Sequence, residues 1–114
     1  MQWEIAEHGQ VSGEANMMAE LAARGPIACS LCVNDKFEAY DGGIFNDPEG
    51  QACANHEISI VGYGADDDGT KYWIGRNSWG TYWGEEGWFR IVRGVNMIGV
   101  EDYCDWAVPK KTWN

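Results

Sequence analysis

The sequence has no apolar run that approaches the roughly 18 residues needed to cross a membrane. It is also poor in basic residues, with 8 Lys and Arg against 18 Asp and Glu, which gives a formal net charge of −10. Nucleic-acid phosphates require a surplus of Lys and Arg, so we expect neither a membrane nor a nucleic acid as a partner. The acidic balance is compatible with a protein that works at low pH, where part of its carboxylates are protonated.

Motifs for metal ions and cofactors are also missing. Cys29 and Cys32 form a single Cys-x-x-Cys pair, no second pair follows, and His8 lies far from both in sequence. We therefore expect no metal and no cofactor. The first residues show neither the basic start nor the apolar core of a signal peptide, and the sequence has no N-glycosylation sequon. At 114 residues, the chain holds one domain or part of one.

The apolar residues that are present predict one helix and a sheet. Helical spacing between Ser12 and Arg24 predicts a helix with Ser12 as its N-cap, ended by Gly25-Pro26. Its apolar face would be formed by Met17, Met18, Leu21 and Ala22. Strand patterns cover residues 3–8, 27–33, 56–62, 71–74, 88–93 and 106–108, and a helical turn is predicted at 36–40. The sequence thus predicts an α+β fold, an antiparallel β domain with one helix near its N-terminus.

A predicted hairpin brings His56 toward Asn77. The acidic turn at residues 65–70 separates the strand that begins at His56 from the strand that precedes Asn77. An Asn amide can hold an imidazole in one orientation, as a general base requires. Taken singly, a His at the start of a strand is more often structural, and an Asn before Ser-Trp-Gly is typical of a turn. The motifs around the two residues carry the functional interpretation.

These motifs follow one another in a fixed order. They are Asn55-His56, Val61-Gly62-Tyr63-Gly64, Tyr72-Trp73-Ile74, Arg76-Asn77-Ser78-Trp79-Gly80, Trp83-Gly84 and Gly87-Trp88-Phe89-Arg90-Ile91. In this order and spacing, the series resembles the C-terminal half of the papain-like cysteine peptidases. The upstream motifs Gly9-Gln10-Val11-Ser12-Gly13, Met17-Met18-Ala19-Glu20 and Gly25-Pro26-Ile27-Ala28-Cys29 resemble the cathepsin X (cathepsin Z) branch, a group of lysosomal carboxypeptidases. The resemblance extends from about Trp3 to Pro109.

The resemblance implies the barrel-like half of the papain fold and a role for four residues. His56 would be the general base, and Asn77 would orient its ring. Trp79 would cover the His–Asn contact, and Trp83 would line the leaving-group side of the cleft. The substrate would be a peptide or a protein, and the location lysosomal or extracellular.

Two further residues would line the pocket for the substrate residue two positions before the cut bond. The resemblance assigns Ser30 and Glu57 to this pocket. Relatives usually carry a small apolar residue at the second position, so Glu57 is a departure. Its carboxylate would either favour a basic or polar substrate side chain or simply point into solvent.

The nucleophile of the family is not found in this sequence. Family members carry it in a Cys-Gly-Ser/Ala-Cys-Trp/Tyr signature more than about 100 residues before the histidine. None of the four cysteines has this context, and the family's oxyanion glutamine and carboxypeptidase insertion also belong to the upstream half. We therefore expect that the chain supplies a base and its orienting group, and that by itself it does not hydrolyse peptides.

Three explanations for the missing nucleophile remain open. The chain is a piece of a longer peptidase, whose cysteine-bearing half is then its partner. Alternatively, it is an inactive truncated relative that acts as a binding module, or a small structural β domain whose motif match is accidental. On the first explanation, we expect an exposed apolar strip that includes Trp79 or Trp83.

Four cysteines allow three pairings, and the resemblance selects among them. Cathepsin X-like chains place cysteines at the positions of Cys29 and Cys104, which predicts that these two are bonded. Most relatives carry their late cysteine at the position of Ile98. Cys32 and Cys53 remain, and they lie nearly opposite each other if Ser30 and Glu57 face each other across antiparallel strands.

Overall fold

The computed structural model describes the backbone of residues 3–111 and the side chains of residues 8–107. The strands are β1 Trp3–Val11, β2 Ile27–Leu31, β3 Ile44–Phe45, β4 His56–Ala65, β5 Lys71–Arg76, β6 Trp88–Val92 and β7 Cys104–Lys111. The helices are α1 Glu14–Arg24 and α2 Asp35–Glu38, with a 3-10 turn at Met97–Gly99. None of the helices within residues 3–111 has the length and apolar character to span a bilayer.

The seven strands form one mixed sheet in the order β1-β7-β2-β4-β5-β6-β3. Every strand pair is antiparallel except β3 with β6, where the two-residue strand Ile44–Phe45 runs parallel to its neighbour. The end strands β1 and β3 do not pair with each other, so the sheet stays open. The expectation of a purely antiparallel, barrel-like half is therefore corrected to an open, mixed sheet. The sequence patterns did not assign Ile44–Phe45 to a strand, because two residues are too few to show alternation.

Helix α1 begins one residue later than its predicted N-cap implies. Its N-cap is Gly13, not Ser12, and no side chain caps the helix. Gly13 has a φ of 86°, which glycine adopts without strain, and its N–H donates to the Glu101 carbonyl at 2.9 Å. This tertiary hydrogen bond fixes the entry into the helix. Of the predicted apolar face, Met17 and Leu21 are buried, Met18 is half-buried and Ala22 is exposed.

Aromatic rings fill the core below the hairpin. The N-cap of helix α2 is Asn34, whose side chain accepts from the Phe37 N–H at 2.8 Å. This cap turns the fully buried Phe37 ring inward. The Phe37 ring makes edge contacts with Phe45 and Phe89, each with centroids 5.3 Å apart. Phe37 thereby becomes the centre of the core region that supports the candidate site.

Two disulfides cross-link the chain. Cys29 and Cys104 are direct register partners of β2 and β7 and form one bond. Cys32, just beyond β2, forms the other with Cys53 in the loop before β4. Both pairs are those expected from the sequence. The register that the second pairing rested on is also present, because Ser30 lies directly opposite Glu57.

Candidate active site

The β4–β5 hairpin brings His56 and Asn77 together. Ser59 pairs with Arg76 across the hairpin, and continuing that register places Asn77 beside Ile58, on the sheet face that His56 shares. His56 Nε2 and Asn77 Oδ1 are 2.9 Å apart. His56 is half-buried and Asn77 is buried. The turn between the strands is stabilised by Thr70, whose N–H donates to Asp66 and Asp68.

The backbone of Ser78 fixes the orientation of the Asn77 amide. The Ser78 N–H donates to Asn77 Oδ1 at 2.8 Å, so this atom must be the oxygen. His56 Nε2 must then carry the proton that it donates to the same oxygen. The neutral imidazole therefore has its lone pair on Nδ1, ready to accept a proton. Asn77 Nδ2 is buried without an acceptor among the described residues.

Trp79 covers the imidazole. Its ring stacks on His56 with centroids 4.9 Å apart and 25° between the planes. Edge contacts with Phe37, at 5.9 Å, and Trp83, at 5.2 Å, hold Trp79 in place. The indole shields the His–Asn hydrogen bond from water, which strengthens that bond. Phe37 was not predicted as a support of the site, although an apolar residue in a capped helical turn is typical of a core position.

Trp83 has its side chain turned into the core of this chain. Its side chain is buried, its Nε1–H donates to the Glu38 carbonyl at 3.1 Å, and its ring packs on Phe37 and Tyr40. Trp83 therefore adds nothing to the expected exposed strip, whereas Trp79 is half-buried and leaves part of its ring accessible. The indole turns inward because the backbone carbonyl of α2 offers its N–H an acceptor.

Ser30 and Glu57 lie on the opposite face of the sheet from His56. They are register partners one position from His56, so their side chains alternate with its side chain. Glu57 is exposed and Ser30 is half-buried. A shallow pocket of about 370 Å³ includes Glu57 but not Ser30; its lining is Glu57, Ile58, Ser59, Arg76, Asn77 and Ser78. The two residues are thus neighbours on one face of the sheet, and Glu57 alone borders this shallow pocket.

Elsewhere in the described chain, the features that could carry chemistry are a cavity, groups that could bind a metal, and the cysteines. A larger cavity of about 610 Å³ lies between α1, β1 and β7 and includes neither His56 nor Asn77. Within the part of the chain that the structure describes, no group of three or more His, Cys, Asp or Glu side chains is placed to hold a metal ion. All four cysteines are in disulfides, so none of them is a free thiol. The site therefore offers a positioned proton acceptor without a cysteine nucleophile of its own.

Comparison with known proteins agrees with this geometry. Residues 1–108 match the family described as papain family cysteine protease. The chain is 44% identical to cathepsin Z of Onchocerca volvulus, over 94% of this chain and 37% of that protein. It is 42% identical to the cathepsin B-like CP2 of Giardia intestinalis, over 75% of this chain and 29% of that protein.

Solved structures give the same result. The digestive procathepsin L2 proteinase from Tenebrio molitor larval midgut superposes with a TM-score of 0.86 at 31% identity, over 92% of this chain and 34% of that one. The chain thus spans about a third of the length of the relatives it matches. The chain belongs to the papain family of cysteine proteases.

Proposed function

We propose that the chain is the histidine- and asparagine-bearing half of a cysteine peptidase, with His56 as general base and Asn77 as the residue that orients it. The observation that supports this most directly is the 2.9 Å contact between His56 Nε2 and Asn77 Oδ1, covered by Trp79. This contact leaves Nδ1 as the atom that accepts a proton. The second hydrogen bond to the same oxygen, from the Ser78 N–H, determines which nitrogen of His56 carries the proton.

The proposed mechanism begins when His56 Nδ1 takes the proton of a cysteine thiol. The thiolate attacks the carbonyl carbon of the peptide bond, and the imidazolium then gives its proton to the leaving amine. A water molecule, deprotonated by the same imidazole, hydrolyses the acyl-enzyme. Asn77 Oδ1 accepts from Nε2–H throughout, so the ring keeps one orientation while its charge changes.

The thiol comes from outside this chain. All four cysteines here are oxidised, and the chain matches only about a third of its relatives' length. We infer that a cysteine-bearing half of the peptidase domain is the partner of this chain and that peptides or proteins are the substrate. The chain alone is inactive.

The likeness to cathepsin Z supports a finer assignment. We propose carboxypeptidase activity in a lysosomal or extracellular setting, where two disulfides persist. The exposed Glu57 lies in the pocket that touches Asn77, and its charge would favour a basic or polar substrate side chain.

The experiment joins this chain to a cysteine-bearing half of a papain-family peptidase and assays peptide hydrolysis. We expect the joined protein to be active and the chain alone to be inactive. His56→Ala should lower kcat/KM by about 10²- to 10⁴-fold, the contribution of a general base. The exposed His8 provides the matched control, and His8→Ala should leave the rate unchanged.

Two outcomes would contradict the proposal. One is a joined, folded protein whose activity survives His56→Ala. The other is a joined protein without activity while the chain alone binds peptides, which would indicate a binding module.

A further inference from the structure

The segment that leads into His56 is held by few bonds. Residues 46–55 connect β3 to β4, and residues 51–54 form no hydrogen bond within the part of the chain that the structure describes. Cys53 lies in this stretch, three residues before His56, and its disulfide to Cys32 joins the segment to the end of β2. The disulfide is therefore the covalent tether of a loosely bonded approach to the candidate base.

This tether lies at the point where β2 ends and β4 begins. Leu31, the last residue of β2, is the register partner of His56, the first residue of β4. Beyond them, the Asn55 N–H donates to the Leu31 carbonyl at 3.2 Å, and Asn55 Oδ1 accepts from the Val33 N–H at 2.9 Å. Asn55 is exposed, so water competes for both hydrogen bonds. The disulfide is the link between these strand ends that water does not weaken.

The two ends of the disulfide are held unequally. The Cys32 N–H donates to the Ile98 carbonyl at 2.8 Å, which fixes this end to the core. The Cys53 backbone packs against Gly99, where a Cβ atom would lie 2.9 Å from the Cys53 carbonyl oxygen. Both cysteines are half-buried, so a small thiol in solvent has access to the bond. Cleavage of the bond would therefore release the Cys53 end, which leads into His56.

We propose that the Cys32–Cys53 disulfide positions His56, and that its reduction by a small thiol lowers the rate of peptide hydrolysis. The effect on the rate rests on the proposed function. The thiolate of one small thiol attacks a sulfur of the disulfide, which gives a mixed disulfide and one free cysteine thiolate. A second small thiol then displaces the first. Overall, two small thiols become one small disulfide, and Cys32 and Cys53 each gain one electron and one proton.

Loss of the tether should displace the imidazole without unfolding the protein. His56 is the first residue of β4, and strand ends open locally at a lower free energy than the strands between them. Asn77 is fixed separately, because its N–H donates to the Gly87 carbonyl at 3.1 Å. The Cys29–Cys104 bond continues to join β2 to β7. Reduction would thus separate the candidate base from the residue that orients it within a folded chain.

The first test uses the chain alone and does not depend on activity. NMR relaxation and the His56 Nε2–H signal are compared between the wild type, Cys32→Ser/Cys53→Ser and the matched control Cys29→Ala/Cys104→Ala. In the first variant, we expect backbone order parameters of residues 51–56 to fall from about 0.85 to below about 0.6. The Nε2–H signal should be lost to exchange with water. The control lacks the other disulfide, and it should keep both the order and the signal.

Three outcomes of this test would overturn the proposal. One is a rigid segment that keeps the Nε2–H signal in Cys32→Ser/Cys53→Ser, and another is an equal change in the control. If the variant does not fold, wild-type protein is treated with a small thiol until alkylation shows that only Cys32 and Cys53 are reduced. Unfolding of that protein as well is the third, because the proposal requires a folded chain with a displaced base.

The second test measures the rate in the joined, active peptidase, with the nucleophilic thiol kept reduced in every sample. Cys32→Ser/Cys53→Ser should lower kcat about tenfold and leave KM unchanged, because the base acts in the chemical step. Reoxidation of thiol-treated wild type should restore kcat, whereas Cys29→Ala/Cys104→Ala should keep it. An unchanged kcat, or a change confined to KM, would overturn the proposed effect on the rate. A joined wild type without activity would refute the proposed function, and the first test still decides whether the disulfide positions His56.

Discussion

A single amide sets the orientation of the His56 ring. Asn77 Oδ1 accepts from His56 Nε2 at 2.9 Å and from the Ser78 N–H at 2.8 Å, so the amide cannot flip without losing both bonds. An aspartate could accept both hydrogen bonds, but it would place a charge at a position that is only 8% exposed. Asparagine is the side chain that holds the ring without that desolvation cost.

Removal of this amide should reduce activity less than removal of the base. We expect Asn77→Ala to lower kcat of the joined peptidase about tenfold, because one hydrogen bond to the ring is lost while the proton acceptor remains. Steady-state kinetics on both variants measure the difference. Asn46→Ala, at an exposed asparagine outside the site, is the control and should leave kcat unchanged. A loss for Asn77→Ala that equals or exceeds that of His56→Ala would contradict the orienting role.

Ile98 shows how packing can force an unfavourable backbone at one residue. Its φ is 46°, a region that β-branched residues rarely adopt. Its side chain is buried, and its carbonyl accepts from the Cys32 N–H at 2.8 Å. A Cβ atom on Gly50 would lie 2.7 Å from Ile98 Cγ2, so glycine is required at the facing position. The loop conformation is therefore maintained by its neighbours rather than by local preference.

At the scale of elements, one carboxylate ties α1 to the sheet. Glu14 Oε2 lies 3.1 Å from Lys71 Nζ and 2.7 Å from Arg93 Nη1. The hydrogen bond from Lys71, followed by the charges of Lys71 and Arg93, holds the pKa of Glu14 below its usual value despite some desolvation. The Arg93 side chain is buried and also donates to the carbonyls of Gly64 and Tyr72, so the tie reaches β4 and β5.

Glu14→Gln should destabilise the protein at neutral pH and not in acid. A lowered pKa in the folded state means that the carboxylate stabilises the fold above the unfolded-state pKa and loses this effect as the pH falls through the folded-state pKa. We expect a free energy of unfolding lower by about 1 kcal/mol at pH 7. The difference from wild type should shrink below about pH 4.5, the ordinary range of a Glu carboxyl. Urea unfolding at a series of pH values measures it.

Glu20→Gln is the matched control on the same helix. Glu20 pairs with Arg24 one turn further along the same helix, and a pair at this spacing contributes a few tenths of a kcal/mol. Its effect should therefore be smaller than that of Glu14→Gln at pH 7. If the effect of Glu14→Gln stayed constant down to pH 3, the ionic tie between α1 and the sheet would be refuted.

For the whole molecule, the two disulfides close loops of different length. The bonded cysteines are 75 residues apart for Cys29–Cys104 and 21 apart for Cys32–Cys53. Loop closure in the unfolded chain then predicts stabilisation of roughly 4.5 and 3.5 kcal/mol respectively. The first bond also joins β7, and with it β1, to the rest of the sheet through β2.

Removal of the long-range disulfide should therefore cost more. We expect the Cys29→Ala/Cys104→Ala variant to unfold with a free energy about 1 kcal/mol lower than that of Cys32→Ala/Cys53→Ala. Cys29 and Cys104 are buried while Cys32 is half-buried, so mild reductant should open Cys32–Cys53 first. Denaturant unfolding measures the stabilities, and alkylation with mass spectrometry measures the order of reduction. Earlier alkylation of Cys29 and Cys104 would contradict this account.

Local sequence signals predicted much of the candidate site and the major elements. Alternation located the strands that begin at His56 and end beside Asn77, and the acidic turn between them predicted the hairpin. These are short-range patterns, because strand periodicity and turn chemistry depend on neighbouring residues. The pairing of Cys29 with Cys104 came from the resemblance to a family rather than from local chemistry.

Tertiary structure decided what the sequence could not. Ser12 is a good cap by composition, but the hydrogen bond from Gly13 to the distant Glu101 starts the helix one residue after the glycine. Trp83 turned inward because Glu38, 45 residues away in sequence, supplies an acceptor for its N–H. The alternation of residues in each strand does not show whether the first and last strands of the sheet pair with each other. In the structure they do not pair, and the sheet is open. The amino-acid sequence determines which local conformations are favourable at each residue. Burial and long-range hydrogen bonds then determine which of these conformations the folded protein adopts.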